Sequence, residues 1–301
     1  MPEVAAIDCG TNSVKLLIGD LPAVSVRESR MVRLGQGVDA TGALAEEALS
    51  RTFAAVDEYA ALIRAHGVSR VRFCATSATR DARNAQLFVD GVRERLGVAP
   101  EVLSGPEEAA LVFAGATRTL HDELEPPVLV VDIGGGSTEL VLGDDAPDTG
   151  ISIDIGAVRL HERHLHDDPP TPAQIAACLA DVDAHLDACP VPLADARTAV
   201  GTSGTIKTLA AGLLHLPTYD RDAVDGAHLS TAETLDFADR LVAMTVAERR
   251  TLPFMHPGRA DVIAAGALIW SRVLTRAGVE RYVVSEADIL YGIAWSLVDL
   301  P

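Results

Sequence analysis

Asp8-Cys9-Gly10-Thr11-Asn12-Ser13-Val14-Lys15-Leu16-Leu17-Ile18-Gly19-Asp20 and Asp132-Ile133-Gly134-Gly135-Gly136-Ser137-Thr138-Glu139-Leu140-Val141-Leu142-Gly143-Asp144 align without a gap. Six positions coincide: Asp8/Asp132, Gly10/Gly134, Ser13/Ser137, Leu16/Leu140, Gly19/Gly143 and Asp20/Asp144. Each copy follows an apolar run and opens another, the pattern of a β-hairpin with a glycine turn. Glycine turns in hairpins resemble one another for steric reasons alone. Here the identities extend to an Asp at each end, which favours an internal repeat: two related domains, each presenting a glycine-rich hairpin to one cleft.

Working outward, strands and helices alternate, and the fold class is α/β. Val4–Asp8, Val14–Gly19 and Val24–Leu34 read as a three-stranded meander. Leu44–His66 has helical spacing and stops at Gly67, a natural C-cap. Val71–Ala75 reads as a strand, Asn84–Leu96 as a helix, and Glu101–Leu103 as a strand leading into a helix that runs to about Leu120. The polar, proline-containing stretch His121–Pro127 is the expected domain boundary, after which Val128–Asp132 restarts the pattern. The 301 residues exceed what one core usually spans, so two domains are expected, 1–124 and 125–301.

A strand ending in Asp, a glycine-rich turn and a second strand suit phosphate. Glycine allows close backbone approach, and successive N–H groups form an anion nest. Gly10, Thr11, Asn12 and Ser13 in the first copy, and Gly134, Gly135, Gly136, Ser137 and Thr138 in the second, are the candidate donors. Asp8 and Asp132 close their strands, where a carboxylate can hold hydrated Mg²⁺ (or Mn²⁺) against phosphate oxygens. Glu139 stands where the first copy has Lys15; a carboxylate beside a phosphate nest points to metal or water binding.

A third glycine cluster, Gly201-Thr202-Ser203-Gly204-Thr205-Ile206-Lys207, precedes the helical run Ile206–Leu214. It is not a Walker A loop, because the GxxxxGK[ST] spacing is absent. Donor-rich backbone at a helix start suits an anion, so Ser203, Gly204, Thr205 and Lys207 join the expected phosphate ligands. Lys15 and Lys207 are the two lysines among 25 basic residues. Thr76-Ser77-Ala78-Thr79-Arg80 follows a strand directly, and Arg80 offers a guanidinium fork to phosphate oxygens. Glu107 and Glu108 open a helix. Two readings stand: favourable interaction with the helix dipole, or a general base facing the cleft. His161, His164 and His166 resemble a metal cluster, but their spacing and the lack of a nearby Cys favour a solvated helix end.

The net charge of −18 argues against binding a nucleic-acid polymer over a broad face. Four scattered cysteines without a CxxC pair, no signal peptide and no long apolar stretch point to a reducing, cytoplasmic setting away from membranes.

Taken together, the motifs resemble the exopolyphosphatase/guanosine-pentaphosphatase (Ppx/GppA) family of the actin–hexokinase–sugar-kinase superfamily. The five stretches at Asp8–Ser13, Thr76–Arg80, Ser104–Ala109, Asp132–Glu139 and Gly201–Thr205 carry the resemblance across essentially the whole chain. It implies two ribonuclease-H-like domains around an interdomain cleft, with the last helix returning to the first domain. It implies Glu108 as the water-activating base, Glu139 as a second catalytic carboxylate and metal ligand, Asp132 as an Mg²⁺ ligand, and Arg80 with the glycine loops as phosphate clamps. The expected activity is removal of the terminal phosphate from inorganic polyphosphate, with guanosine pentaphosphate as the alternative substrate and a homodimer as the expected assembly. A phosphotransferase and a non-catalytic nucleotide sensor are the rival classes on this fold. The chain departs from longer members by lacking a C-terminal helical extension, by the short turn after Asp20, and by Leu290 where relatives often carry Arg.

Overall fold

The computed structural model describes residues 3–120 and 123–299. The chain divides into two compact units, Met1–Leu111 with Ile289–Pro301, and Val112–Asp288. The breaks therefore fall at Leu111/Val112 and Asp288/Ile289, and residues 123–127 of the stretch read as a boundary lie inside the second unit. His121 and Asp122, also part of that stretch, lie outside the described residues. The physical reason is visible in the helix that spans the break. Its C-terminal half belongs with the second unit, where the Ala116 carbonyl accepts a hydrogen bond from Ser285 Oγ at 3.1 Å.

The first unit contains β1 (Val4–Cys9), β2 (Ser13–Asp20), β3 (Ala23–Met31), α1 (Val38–Thr41), α2 (Glu46–Ala65), β4 (Arg70–Ala75), α3 (Ser77–Arg80), α4 (Ala85–Leu96), β5 (Glu101–Val102) and the start of α5 (Gly105–Thr117). The second contains β6 (Val128–Ile133), β7 (Thr138–Gly143), β8 (Pro147–Ile153), α6 (Ala157–His164), α7 (Pro172–Asp187), β9 (Thr198–Thr202), α8 (Ser203–Leu213), α9 (Arg221–Val224), β10 (His228–Ser230), α10 (Thr231–Ala243), α11 (Val246–Arg250), α12 (Ile263–Ala277) and β11 (Arg281–Val284). The last helix, α13 (Ile289–Val298), is part of the first unit.

The first sheet has the order β3-β2-β1-β4-β5, and the second β10-β11-β9-β6-β7-β8. In each, an antiparallel meander (β1-β2-β3 or β6-β7-β8) continues into parallel strands on the far side of its first member. This is the ribonuclease-H-like arrangement, present in both units. β1 and β6 are buried along their whole length, as strands flanked on both sides are. Ile7, Leu16, Phe73 and Phe88 lie in the core of the first unit, and Leu129, Leu140, Ile206 and Trp270 in that of the second. Full burial of one such side chain contributes ~1.5–3 kcal/mol.

The repeat read from the sequence is literal in the backbone. Val4 pairs with Gly19 and Cys9 with Val14; Val128 pairs with Gly143 and Ile133 with Thr138. Both meanders carry a bulge at the same place, Ile18/Gly19 and Leu142/Gly143. A Cβ at Gly19 would lie 2.3 Å from the Ala23 carbonyl oxygen, and one at Gly143 2.1 Å from that of Ala146. Only glycine permits this return of the next strand.

β3 ends at Met31, short of the expected Leu34. The amides of Val32 and Arg33 turn inward to the Asn12 carbonyl, and Gly35 N–H donates to the Thr11 carbonyl. Arg33 adopts φ 50° in this turn. Alternating hydrophobicity gave no warning, since Val32 and Leu34 stay buried after the strand ends. α13 packs on β1, β2 and β4. Arg72 Nη1 donates to Ser296 Oγ at 2.6 Å, and Arg70 reaches the Leu297 carbonyl. A Cβ at Gly292 would lie 2.0 Å from the Leu111 carbonyl oxygen, so this glycine sets how closely α13 meets α5.

Candidate active site

Parallel strands release their C-terminal loops on one sheet edge, where α/β folds bind ligands. In the first unit β1, β4 and β5 run parallel, so the Gly10–Asn12 turn, the Thr76–Arg80 segment and the Ser104–Glu108 helix start leave the same edge. In the second, β6, β9 and β11 do so with Gly134–Ser137, Ser203–Thr205 and Ser285–Asp288. Chain positions far apart in sequence thus meet in two loop clusters, one per unit.

Both glycine turns are closed by the same bond. Gly10 N–H donates to the Ser13 carbonyl at 3.0 Å, and Gly134 N–H to that of Ser137 at 3.0 Å. Their other carbonyls are held from behind. Ala157 N–H donates to Gly134 O, Val158 and Arg159 N–H to Gly135 O, and Arg159 Nε to Gly136 O. A trans peptide points its N–H opposite to its C=O. With those carbonyls turned toward the start of α6, the amides of Gly135, Gly136 and Ser137 face the other way, as an anion nest requires. In the first unit the braced Thr11 and Asn12 carbonyls turn the amides of Asn12 and Ser13 in the same manner.

Gly156 makes the brace possible, because a Cβ there would lie 2.5 Å from Gly135 C and O and 2.7 Å from Gly136 N. Its φ of −159° is extended, so the constraint is space alone. Gly156→Ala should displace the turn. A misplacement on the order of 1 Å costs about 10²-fold, so kcat/KM for phosphate release should fall by roughly that factor, with near-wild-type kinetics ruling the brace unimportant.

The hydroxyls are less available than the sequence suggests. Thr11 Oγ1 shares a hydrogen bond with Ser77 Oγ at 3.0 Å. Thr138 Oγ1 donates to Ile155 O at 2.7 Å. Ser203 Oγ accepts from Ile133 N–H at 3.1 Å and donates to its carbonyl at 2.7 Å. Ser203 holds φ 69°, costly for a non-glycine residue and typical of positions whose surroundings overdetermine them. These bonds tie Ser77 to the first glycine turn at Thr11, and Ser203 to Ile133 at the strand end that precedes the second. Gly204 packs under Arg259: a Cβ would lie 2.5 Å from the guanidinium, whose Nη1 donates to Thr208 Oγ1 at 2.9 Å. Thr205 is buried against Gly266.

Lys207 departs from its expected place on phosphate. α8 begins at Ser203, earlier than the expected Ile206, which sets Lys207 one turn deeper. Its side chain is 7% exposed; Nζ donates to the Glu286 carbonyl at 2.8 Å and faces Asp288 Oδ2 at 3.4 Å and Glu286 Oε2 at 3.8 Å. A cation near a helix N-terminus opposes the helix dipole, and these carboxylates offset that. Tyr219 OH also donates to Glu286.

The two glutamates opening α5 separate cleanly. Exposed Glu107 accepts from Ser104 N–H at 2.9 Å and Ser104 Oγ at 2.6 Å, capping its own helix. The Ser104 bonds hold its carboxyl below the ordinary range. Glu108 is 4% exposed, and its Oε2 accepts from Arg80 Nη1 at 2.9 Å. The same Nη1 donates to Leu103 O at 2.9 Å. Arg80 thereby joins the end of α3 to the start of α5 and holds the Glu108 carboxylate beside a guanidinium.

Asp132 and Glu139 are cross-strand partners on β6 and β7, 6% and 2% exposed. Ser152 Oγ donates to Glu139 Oε1 at 2.7 Å. Directly opposed residues have Cβ atoms ~4.5–5.5 Å apart. Opposed buried carboxylates are a donor set that fits a hard divalent cation. Among the described residues no group of three or more His, Cys, Asp and Glu is arranged to hold a metal ion by itself. Mg²⁺ is commonly held by one or two carboxylates, with water and substrate phosphate completing its shell. Asp8 sits at the matching position of β1 but faces Lys15, whose Nζ lies 3.2 Å from Asp8 Oδ2. Of the histidines, His164 Nε2 pairs with Asp181 Oδ2 at 2.8 Å. All four cysteines are free, and among the described residues no helix is long and apolar enough to cross a membrane.

Comparison with known proteins places this geometry. The model of the Ppx/GppA phosphatase family matches residues 15–298. The chain is 45% identical to Exopolyphosphatase 2 of Mycobacterium tuberculosis, covering 99% of both chains, and 30% identical to Exopolyphosphatase 1 of Mycobacterium bovis, covering 99% of this chain and 88% of that one. Among solved structures, the Aquifex aeolicus PPX-GPPA enzyme superposes with TM-score 0.81 at 32% identity over 98% of this chain and 99% of that one. An exopolyphosphatase-like protein superposes with TM-score 0.94 at 45% identity, over 97% and 98%. With a family match over nearly its whole length and both repeated hairpins intact, the chain belongs to the Ppx/GppA phosphatase family.

Proposed function

We propose that the protein is a phosphoanhydride hydrolase of the exopolyphosphatase type, removing the terminal phosphate of inorganic polyphosphate. The buried Glu108 carboxylate held by Arg80, on the loop edge that also carries the Gly10–Ser13 turn, is the observation that carries the reading.

The turn amides and Arg80 bind and orient the terminal phosphoryl group, and withdraw charge from its oxygens as the transition state spreads it outward. Glu108 accepts a proton from water as the water oxygen bonds to the terminal phosphorus. The bond from that phosphorus to the bridging oxygen breaks, leaving orthophosphate and a chain shorter by one unit. Asp132 and Glu139 would hold Mg²⁺, with Mn²⁺ as a substitute; when bound it supplies charge neutralisation to phosphate oxygens. Ser152 keeps Glu139 oriented for that role. Lys207 supports the 286–288 segment in this scheme and is not among the phosphate ligands.

The test is orthophosphate release measured on polyphosphate and on guanosine pentaphosphate side by side, with and without EDTA. Polyphosphate should give the higher kcat/KM, and EDTA should abolish turnover on both. Preference for guanosine pentaphosphate would reassign the substrate; transfer of phosphate to ADP in place of water would reassign the reaction to a phosphotransferase.

A further inference from the structure

The turn after β3 is built into the loop edge of the first unit. Val32 and Arg33 N–H both donate to the Asn12 carbonyl, at 3.0 and 2.9 Å, and Gly35 N–H donates to the Thr11 carbonyl at 2.9 Å. A Cβ at Gly35 would lie 2.3 Å from Thr11 Cγ2 and 3.0 Å from Ala78 Cβ, so the turn is wedged between the Gly10–Ser13 and Thr76–Arg80 segments. Arg51 Nε, on α2, holds the Val32 carbonyl at 2.9 Å. Val32 and Leu34 are buried, while Arg33 between them is half-buried.

The fold thus seats an arginine beside the turn whose amides face phosphate, and it does so at a cost. Arg33 holds φ 50°, in the left-handed region that glycine adopts freely and a residue with a Cβ does not. Strain of this kind collects at ligand clamps. The backbone bonds do not call for arginine. Arg33 gives its N–H to Asn12, and its carbonyl accepts from Gln36 N–H at 3.2 Å; glycine would supply both groups without strain. What arginine adds is a guanidinium. A chain of net charge −18 repels a polyanion unless positive groups line its path.

We propose that Arg33 is a substrate-binding residue that holds the phosphoryl units behind the terminal one. The inference rests on the polyphosphate reading above. The Gly10–Ser13 amides take the end of the chain, and the guanidinium carried by the adjoining turn pairs with the anionic units that follow.

Steady-state phosphate release from polyphosphate, with thermal unfolding of each full-length variant by circular dichroism, tests it. Arg33→Gln and Arg33→Gly should each raise KM by about tenfold or more, the loss of one charge-assisted hydrogen bond. In both, kcat should stay within about twofold of wild type, because the lost contact is made before and during the chemical step alike. Arg33→Lys keeps the charge and should recover most of the affinity. The melting temperature should be higher for Arg33→Gly than for Arg33→Gln, since only glycine relieves the left-handed backbone. KM would then follow the charge and stability the strain, a split that a purely structural arginine does not produce. An unchanged KM in Arg33→Gly, a fall in kcat at unchanged KM, Arg33→Lys no better than Arg33→Gln, or Arg33→Gly no more stable than Arg33→Gln overturns the inference alone. A wild-type chain that releases no phosphate from polyphosphate overturns both the inference and the substrate reading beneath it.

Discussion

Glu108→Gln should lower kcat for phosphate release from polyphosphate by ~10²–10⁴-fold, the usual effect of removing a positioned general base. The amide keeps the side-chain volume and an oxygen for the Arg80 Nη1 donor, so the Arg80 bridge to Leu103 O survives and the melting temperature should change little. KM should also change little, because the turn amides that bind phosphate are untouched. Glu107→Gln is the internal control. That residue is exposed and engaged with Ser104, and the amide keeps an oxygen to accept the Ser104 bonds, so Glu107→Gln should leave both the helix start and turnover near wild type. Steady-state phosphate release by the two variants decides the matter. Full activity in Glu108→Gln, or equal losses in both, removes Glu108 from the role assigned to it.

Lys207→Met should act on stability instead. It removes the ammonium that faces Asp288 and Glu286, whose side chains are 3% and 7% exposed. Breaking a buried ion pair by deleting one partner costs about 3–5 kcal/mol, because the remaining charge stays desolvated. For a unit of this size each kcal/mol shifts the midpoint by ~2–4 °C. Thermal unfolding followed by circular dichroism should therefore show a transition lower by at least roughly 6 °C. Lys207→Met combined with Asp288→Asn should recover part of the loss, since the second change removes the stranded charge. An unchanged transition with a raised KM for polyphosphate would instead return Lys207 to the phosphate, where its place beside a glycine loop first suggested it.

Glu107, Glu108 and Lys207 show how far reading the chain could go. Neighbouring carboxylates at a helix start have the same local chemistry, and the macrodipole favours both. Only the approach of α3 to α5, bringing Arg80 across from another segment, distinguishes them. An apolar run beginning at Ile206 predicts Lys207 in a first helical turn, but the helix starts at Ser203. The reason is the Ser203 hydroxyl, which bonds Ile133 seventy residues away and draws the glycine segment into the helix. The hydroxyls of Thr11, Thr138 and Ser203 suggest phosphate ligands by their type; in the fold they hydrogen-bond Ser77, Ile155 and Ile133.

The chain by itself determined the α/β class, the internal repeat, the residues of both glycine turns and the acids beside them. All of these are written in short-range pattern: alternation of apolar residues, glycine where a Cβ has no room, and Asp at a strand end. The tertiary structure alone decided where the units divide, which glutamate is buried against Arg80, what Lys207 faces, and how carbonyls drawn to α6 turn the amides of Gly135–Ser137 the other way. Those outcomes depend on partners tens to nearly two hundred residues apart. Their energies, from burial and from pairing charges out of water, exist only once the strands and helices have packed.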